Sequence, residues 1–249
     1  MHSRAAVTVV PSLLSCDHSN LLSAVQPILS DFSVPWMHFD AIDGLFAPAY
    51  GFCPQSLLDL RSAIKRQLNR CPKFAVHLMV QQPNVLWSKF AESGAEEIVL
   101  HLESPCEIVP LARKIESSGI RCGLAINPET PFAKCAPLLR HFSSLLVLAV
   151  NPGFGGQDTI PGTVEKIIEA AGHREKSHRH YDIAIDGGIH FKNAELFANA
   201  GADFIVSGSA IFCNGCQRNA YEQLTNILRG TREGVGSRHR RPQHSASLE

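Results

Sequence analysis

Short runs rich in Val, Ile, Leu and Phe recur about every 25 to 35 residues, and the segments between them carry the period of an amphipathic helix. This alternation constrains the fold more than any other feature. A strand followed by a crossover helix pairs in parallel with its neighbour, so the pattern calls for a parallel sheet covered by helices. Eight runs fit, at 7–14, 36–41, 74–80, 97–102, 121–126, 145–150, 181–185 and 204–207. Eight such units in 249 residues, 45% of them hydrophobic, favour a single closed α/β (β/α)₈ barrel over an open doubly wound sheet of eight strands.

The intervening segments and their punctuation agree. Leu57, Leu60, Ile64 and Leu68 follow one helical stripe, and Val164, Ile167, Ile168 and Ala171 follow another. Gly94, Gly119 and Gly201 each stand before a strand, as helix C-caps do, and Thr130 followed by Pro131 reads as an N-cap with proline at the first helical position. The polar stretch 173–180 reads as a solvated loop. The barrel is expected over 1–229, and the Arg-, His- and Ser-rich segment 230–249 as a disordered tail.

Composition excludes several function classes. Lys plus Arg equals Asp plus Glu at 23 each, so no global field favours nucleic acid or an anionic membrane. No run approaches the roughly 20 apolar residues of a membrane span, and no leader is read at the N-terminus, so a cytoplasmic setting is expected. The eight cysteines are dispersed and read as reduced thiols, with Cys71, Cys122 and Cys213 packing as small hydrophobes. Cys213 and Cys216 spell C-x-x-C, but no second ligand pair or redox context accompanies them.

Barrel enzymes place their sites at the C-terminal strand ends, and polar residues stand there. His38 and Asp40 are at i and i+2 on the second strand, so they share a face. His77 comes late in the third strand, and Asp186 ends the seventh. Each has an ordinary explanation alone, as an interior hydrogen-bonding group or a helix cap. Together, two imidazoles and two carboxylates at one barrel mouth make a site for one divalent cation, zinc foremost, with iron, manganese or cobalt as alternatives. Asp40 and Asp186 would face each other across it. One carboxylate would take the proton beside a carbonyl, and the other would return one to the opposite face.

Glycine-rich turns follow the last three strands: Asn151-Pro152-Gly153-Phe154-Gly155-Gly156-Gln157, Asp186-Gly187-Gly188-Ile189 and Gly208-Ser209-Ala210-Ile211-Phe212. Any one is a plausible tight turn. Three at the positions where barrels commonly hold phosphate read as an anion cradle of backbone N–H groups, aided by the helix N-termini that follow.

At these residues the sequence resembles the ribulose-phosphate 3-epimerase family. The resemblance runs in unbroken order over 9–212, through Pro11-Ser12-Leu13-Leu14-Ser15, His38-Phe39-Asp40-Ala41-Ile42-Asp43-Gly44, His77-Leu78-Met79-Val80 and the three glycine turns. It implies a cation held by His38, Asp40, His77 and Asp186, with Asp40 as proton acceptor and Asp186 as donor, converting D-ribulose 5-phosphate to D-xylulose 5-phosphate. It further implies substrate contacts from Ser12, His38, His77 and Met79, and phosphate contacts from Gly153, Phe154, Gly155, Gly156, Gly187, Gly188, Gly208 and Ser209. The chain departs from the family where Ile42 and Leu148 replace methionines, and where the usual F-V-P-N-x-T-x-G reads Phe46-Ala47-Pro48-Ala49-Tyr50-Gly51-Phe52-Cys53.

The competing readings are an epimerase of a hexulose 6-phosphate and a catalytically idle barrel that binds sugar phosphate. A phosphate-binding decarboxylase is more distant, because the D-x-K-x-x-D signature of such barrels lacks its lysine in Asp40-Ala41-Ile42-Asp43. The expected partner is a small ketose phosphate, with no nucleic acid and no membrane. Association into a homo-oligomer is left open.

Overall fold

The computed structural model describes residues 6–68, 70–213, 215–229 and 231. Apart from Thr231, the expected tail at 230–249 lies outside the described residues. The strands are β1 (Thr8–Pro11), β2 (Trp36–Ile42), β3 (Lys73–Met79), β4 (Glu97–His101), β5 (Arg121–Ile126), β6 (Ser144–Leu148), β7 (Asp182–Asp186) and β8 (Phe204–Ser207). The helices are α1 (Leu21–Asp31), α2 (Pro54–Gln67), α3 (Pro83–Glu92), α4 (Ile108–Ser117), α5 (Phe132–Cys135), α6 (Thr163–Ser177), α7 (Ala194–Ala200), α8 (Ser209–Phe212) and α9 (Gln217–Arg229).

Neighbouring strands pair in parallel in the order β1-β8-β7-β6-β5-β4-β3-β2, and a single bridge between Ser12 and His38 closes β1 onto β2. The expected (β/α)₈ barrel is the observed fold. Register sets up the chemistry: Asp40 lies opposite His77, and Leu148 opposite Asp186. Alternation then sorts each strand into two cores. Residues such as Phe39, Leu100, Leu124 and Ile183 pack outward against helices, whereas Val10, Val99, Ala125, Leu146, Leu148 and Val206 fill the barrel interior.

Several local expectations hold. Leu57, Leu60 and Ile64 are the buried face of α2. Gly94, Gly119 and Gly201 take φ of 97°, 84° and 121°, the left-handed side on which a helix ends most easily with glycine. All eight cysteines are free.

Others are corrected. The first run leaves the ladder at Pro11 and turns through a 3₁₀ segment, Leu13–Ser15, because Leu13 buries itself without continuing the strand. On α6 the buried face is Thr163, Ile167, Ala170 and Ala171, while Ile168 is 55% exposed. The polar stretch read as a loop begins inside that helix, which runs to Ser177, and His173 Nδ1 lies 3.0 Å from the Tyr181 hydroxyl. Thr130 is not an N-cap. Pro131 occupies that position, and the Thr130 hydroxyl donates to Glu103 instead. Cys213 is exposed and does not pack as a hydrophobe. Among the described residues no helix is long and apolar enough to cross a membrane.

Candidate active site

Four side chains meet where β2, β3 and β7 end. His38 Nε2 lies 3.1 Å from Asp40 Oδ1 and 3.4 Å from Asp186 Oδ2, and His77 Nδ1 lies 3.2 Å from the same Asp40 oxygen. Ser12 at the end of β1 donates its hydroxyl to Asp40 Oδ2 at 3.0 Å. His38, Asp40 and His77 are buried, and the Asp186 side chain is 17% exposed toward the mouth. Tetrahedral bonds of about 2.0–2.2 Å to one cation would separate its ligand atoms by about 3.4 Å. These three separations are close to that, and all four candidate ligand atoms lie within 4.8 Å of one another. The expected ligand set therefore fits one divalent cation in both geometry and donor type.

The two carboxyls differ in proton affinity. Burial pushes Asp40 up, but the charge of His38 and hydrogen bonds from His38 and His77 outweigh it and hold the group below the ordinary carboxylate range. Burial also pushes Asp186 up, the negative charge of Asp40 adds to this, and the net shift is upward. Burial lowers His38, yet the two carboxylates more than offset it and raise the imidazole to about 9. His77 is brought down to about 4, chiefly by burial. Carboxyls pushed in opposite directions are the arrangement from which an acid and a base are made.

Above this group lies a cavity lined by Ser12, Asp40, His77, Met79 and Asp186, and closed on its far side by the glycine turns. All eight predicted phosphate-contact residues line it. His38 does not; it sits one layer deeper and faces the barrel interior. Gly153, Gly156, Gly187 and Gly188 have φ of 122°, 77°, 100° and 67°, which leaves their N–H groups unshielded by a side chain. Gln157 clamps the first turn by donating to the carbonyls of Asn151 and Phe154 at 2.9 and 2.8 Å. Asn193 holds the second through a 2.9 Å bond to the Gly188 carbonyl. The expected help from helix N-termini holds for the third turn, where α8 begins at Ser209, and is corrected for the first two, because α6 and α7 begin only at Thr163 and Ala194.

Sequence reasoning missed three residues. Ser15 places its hydroxyl 2.7 Å from where a Cβ would stand on either Gly155 or Gly208, so it fills the gap between two turns. His101 and Glu103 stand behind His77, with His77 Nε2 2.8 Å from His101 Nε2 and His101 Nδ1 2.9 Å from Glu103 Oε2. Their signal was available: a His and an acid at i and i+2 at a strand end, as in His38 and Asp40. Burial raises the Glu103 carboxyl, but hydrogen bonds from His101, Thr130 and Asn127 win and bring it down to about 2.

The model of the ribulose-phosphate 3 epimerase family matches residues 8–212. The chain belongs to that family. It is 37% identical to a ribulose-phosphate 3-epimerase of Treponema pallidum (strain Nichols) over 205 residues, covering 82% of this chain and 91% of that protein. A second, from Eremothecium gossypii, is 32% identical, with 89% and 92% covered. The barrel is also similar to a 3-keto-L-gulonate-6-phosphate decarboxylase from Vibrio cholerae, with a TM-score of 0.67 at 9% identity over 90% of this chain and 98% of that one. At that identity the likeness is one of fold alone.

Against the ribulose-phosphate 3-epimerase pattern, the departures have physical consequences. Met79 and Leu148 line the cavity, while Ile42 is buried with Ala47 and Met79 beneath the loop after β2. Gly51 replaces the family threonine, and here any Cβ would come within 2.4 Å of the Asp40 carbonyl oxygen. The loop lies that close because Gly51 N–H donates to Ile42 and Phe52 N–H to Asp40, at 3.0 and 2.9 Å. Phe46 rests over His101 with ring centroids 4.7 Å apart.

Proposed function

We propose that this chain is a ribulose-phosphate 3-epimerase, interconverting D-ribulose 5-phosphate and D-xylulose 5-phosphate by proton transfer at C3. The observation that carries the reading is the pairing of Asp40 and Asp186 around His38, with opposite shifts in proton affinity, in a cavity that the glycine turns also line. Family membership supports it.

The phosphate binds the amides of the turns after β6, β7 and β8, which directs the carbon skeleton down toward the carboxyls. Asp40, ionised and braced by Ser12, accepts the C3 proton of ribulose 5-phosphate. Asp186, whose protonated form is favoured by burial, delivers a proton to the opposite face, and configuration inverts. His38 sets its Nε2 between the two carboxyls, within 3.4 Å of each, as a third donor of the proposed cation set. His38, Asp40, His77 and Asp186 would hold a divalent cation, which would supply positive charge to stabilise the enediolate. The donor set favours zinc, with iron, manganese or cobalt as alternatives. We place the chain in the cytoplasm; eight free thiols and a rice relative named as a cytoplasmic isoform support this.

The test is incubation with D-ribulose 5-phosphate in D₂O, beside a panel of other pentulose and hexulose phosphates. Xylulose 5-phosphate carrying one deuterium at C3 is the expected product. Preferred turnover of a hexulose 6-phosphate would move the substrate assignment, and no turnover of any member by metal-loaded protein would overturn the enzyme reading. Elemental analysis of protein purified without chelators is expected to find about one divalent cation per chain. A small fraction of an equivalent, with activity indifferent to chelation, would remove the cation site.

A further inference from the structure

Behind His77, on the side away from the cavity, a hydrogen-bonded chain crosses two further strand ends. The His77 and His101 rings are both fully buried, with centroids 4.9 Å apart and planes inclined by 23°, and their Nε2 atoms are 2.8 Å apart. His101 Nδ1 then meets Glu103 Oε2 at 2.9 Å. The other Glu103 oxygen accepts from the Asn127 backbone N–H at 2.9 Å and from the Thr130 hydroxyl. Lys166 on α6 donates to the carbonyls of Asn127 and Pro128, so the turn that presents these donors is itself anchored.

We infer that Glu103, acting through His101, sets the tautomer of His77 and is thereby a positioning residue for the cation site. This rests on the cation reading above. A carboxylate only accepts hydrogen bonds, so the His101 nitrogen facing it, Nδ1, carries that ring's proton. His101 Nε2 is then a bare lone pair, and the facing His77 Nε2 carries the proton of its own ring. With the cation held between them in place of the hydrogen bond that His77 Nδ1 otherwise gives Asp40 Oδ1, His77 Nδ1 is then unprotonated, which is the form a metal requires. A hydrogen-bond donor in place of the carboxylate would reverse each step in turn. It would put a proton on His77 Nδ1, where the cation belongs.

Glu103→Gln makes that replacement without changing size. Its amide oxygen is held on the side of the Asn127 N–H, a donor that cannot be reversed, so its NH₂ faces His101 Nδ1. Substrate-free protein titrated with Zn²⁺ against a chromophoric chelator is expected to bind about 10–100-fold more weakly in the variant than in wild type. The melting temperature of the metal-free variant should stay near that of metal-free wild type. Equal zinc affinity in the two proteins would overturn the inference and leave the cation reading intact, whereas no zinc binding by wild type would remove both. A direct measurement serves even if the variant does not fold. Long-range ¹H–¹⁵N spectra of zinc-loaded wild type should place protons on His77 Nε2 and His101 Nδ1, and a proton on His101 Nε2 alone would overturn the relay.

Discussion

Asp186→Asn, loaded with metal, is expected to wash the C3 proton of ribulose 5-phosphate into D₂O without forming xylulose 5-phosphate. Asp40→Asn is expected to do the reverse, losing exchange from ribulose 5-phosphate and retaining it from xylulose 5-phosphate, whose C3 proton would face Asp186 in the proposed arrangement. Both variants should lose turnover by about 10²–10⁴-fold, the usual cost of a missing general acid or base. The asymmetry follows from the proposed placement of the two carboxyls on opposite faces of the sugar. His38 Nε2 stands between the two carboxyls, and their shifts run in opposite directions, down for Asp40 and up for Asp186. Asparagine keeps the shape of either side chain but cannot exchange a proton. Because both residues are proposed ligands, metal content is measured in each variant before exchange is compared. Identical behaviour of the two metal-loaded variants toward both sugars would refute the two-base assignment.

A large, substrate-dependent effect is expected at the cradle. A Cβ on Gly155 would stand 2.7 Å from the Ser15 hydroxyl oxygen, so Gly155→Val must displace either Ser15 or the turn that presents the phosphate amides. Losing one hydrogen bond to a charged group costs about 1.5–3 kcal/mol, which corresponds to roughly 10–100-fold in kcat/KM for ribulose 5-phosphate. Unphosphorylated ribulose, a poor substrate throughout, should be turned over equally by variant and wild type. Gly187→Val should lose binding too, but with a lower melting temperature. Its φ is 100°, and its Cβ would meet a Val150 methyl at 2.3 Å, adding about 1–3 kcal/mol of local strain. Parallel losses on the phosphorylated and free sugars at Gly155 would sink the cradle assignment.

The barrel and the convergence of its ligand group were legible in the sequence because both obey short-range rules. Alternation along β2 puts His38 and Asp40 on one face, and strand order then needs only parallel pairing to bring His77 alongside. What escaped depended on distant partners. Nothing local to Thr130 indicates that its hydroxyl serves Glu103 rather than the helix beside it. His101 and Glu103 repeat the spacing of His38 and Asp40, yet their meaning rests on a ring across the strand pair. The polarity of residues 173–177 suggests a loop, although Arg, Glu and Lys are strong helix formers and here form the end of α6. Ile168 shows the same limit in reverse: periodicity admitted an apolar residue to the buried face that packing leaves outside.

The single bridge between Ser12 and His38 gives the cylinder a seam. The other neighbouring strands share ladders, whereas among the described residues β1 and β2 are joined by this one bridge and by the bond from the Ser12 hydroxyl to Asp40. A closed wall of hydrogen bonds gives way first where it is thinnest. Here that place is beside the chemistry, with His38 on one lip of the opening and Asp186 on β7, beyond β1 and β8, on the other side. Whatever His38 and Asp186 grip in common is therefore a clasp on the wall as well as a reagent. Parting the barrel at this seam would therefore disperse its site.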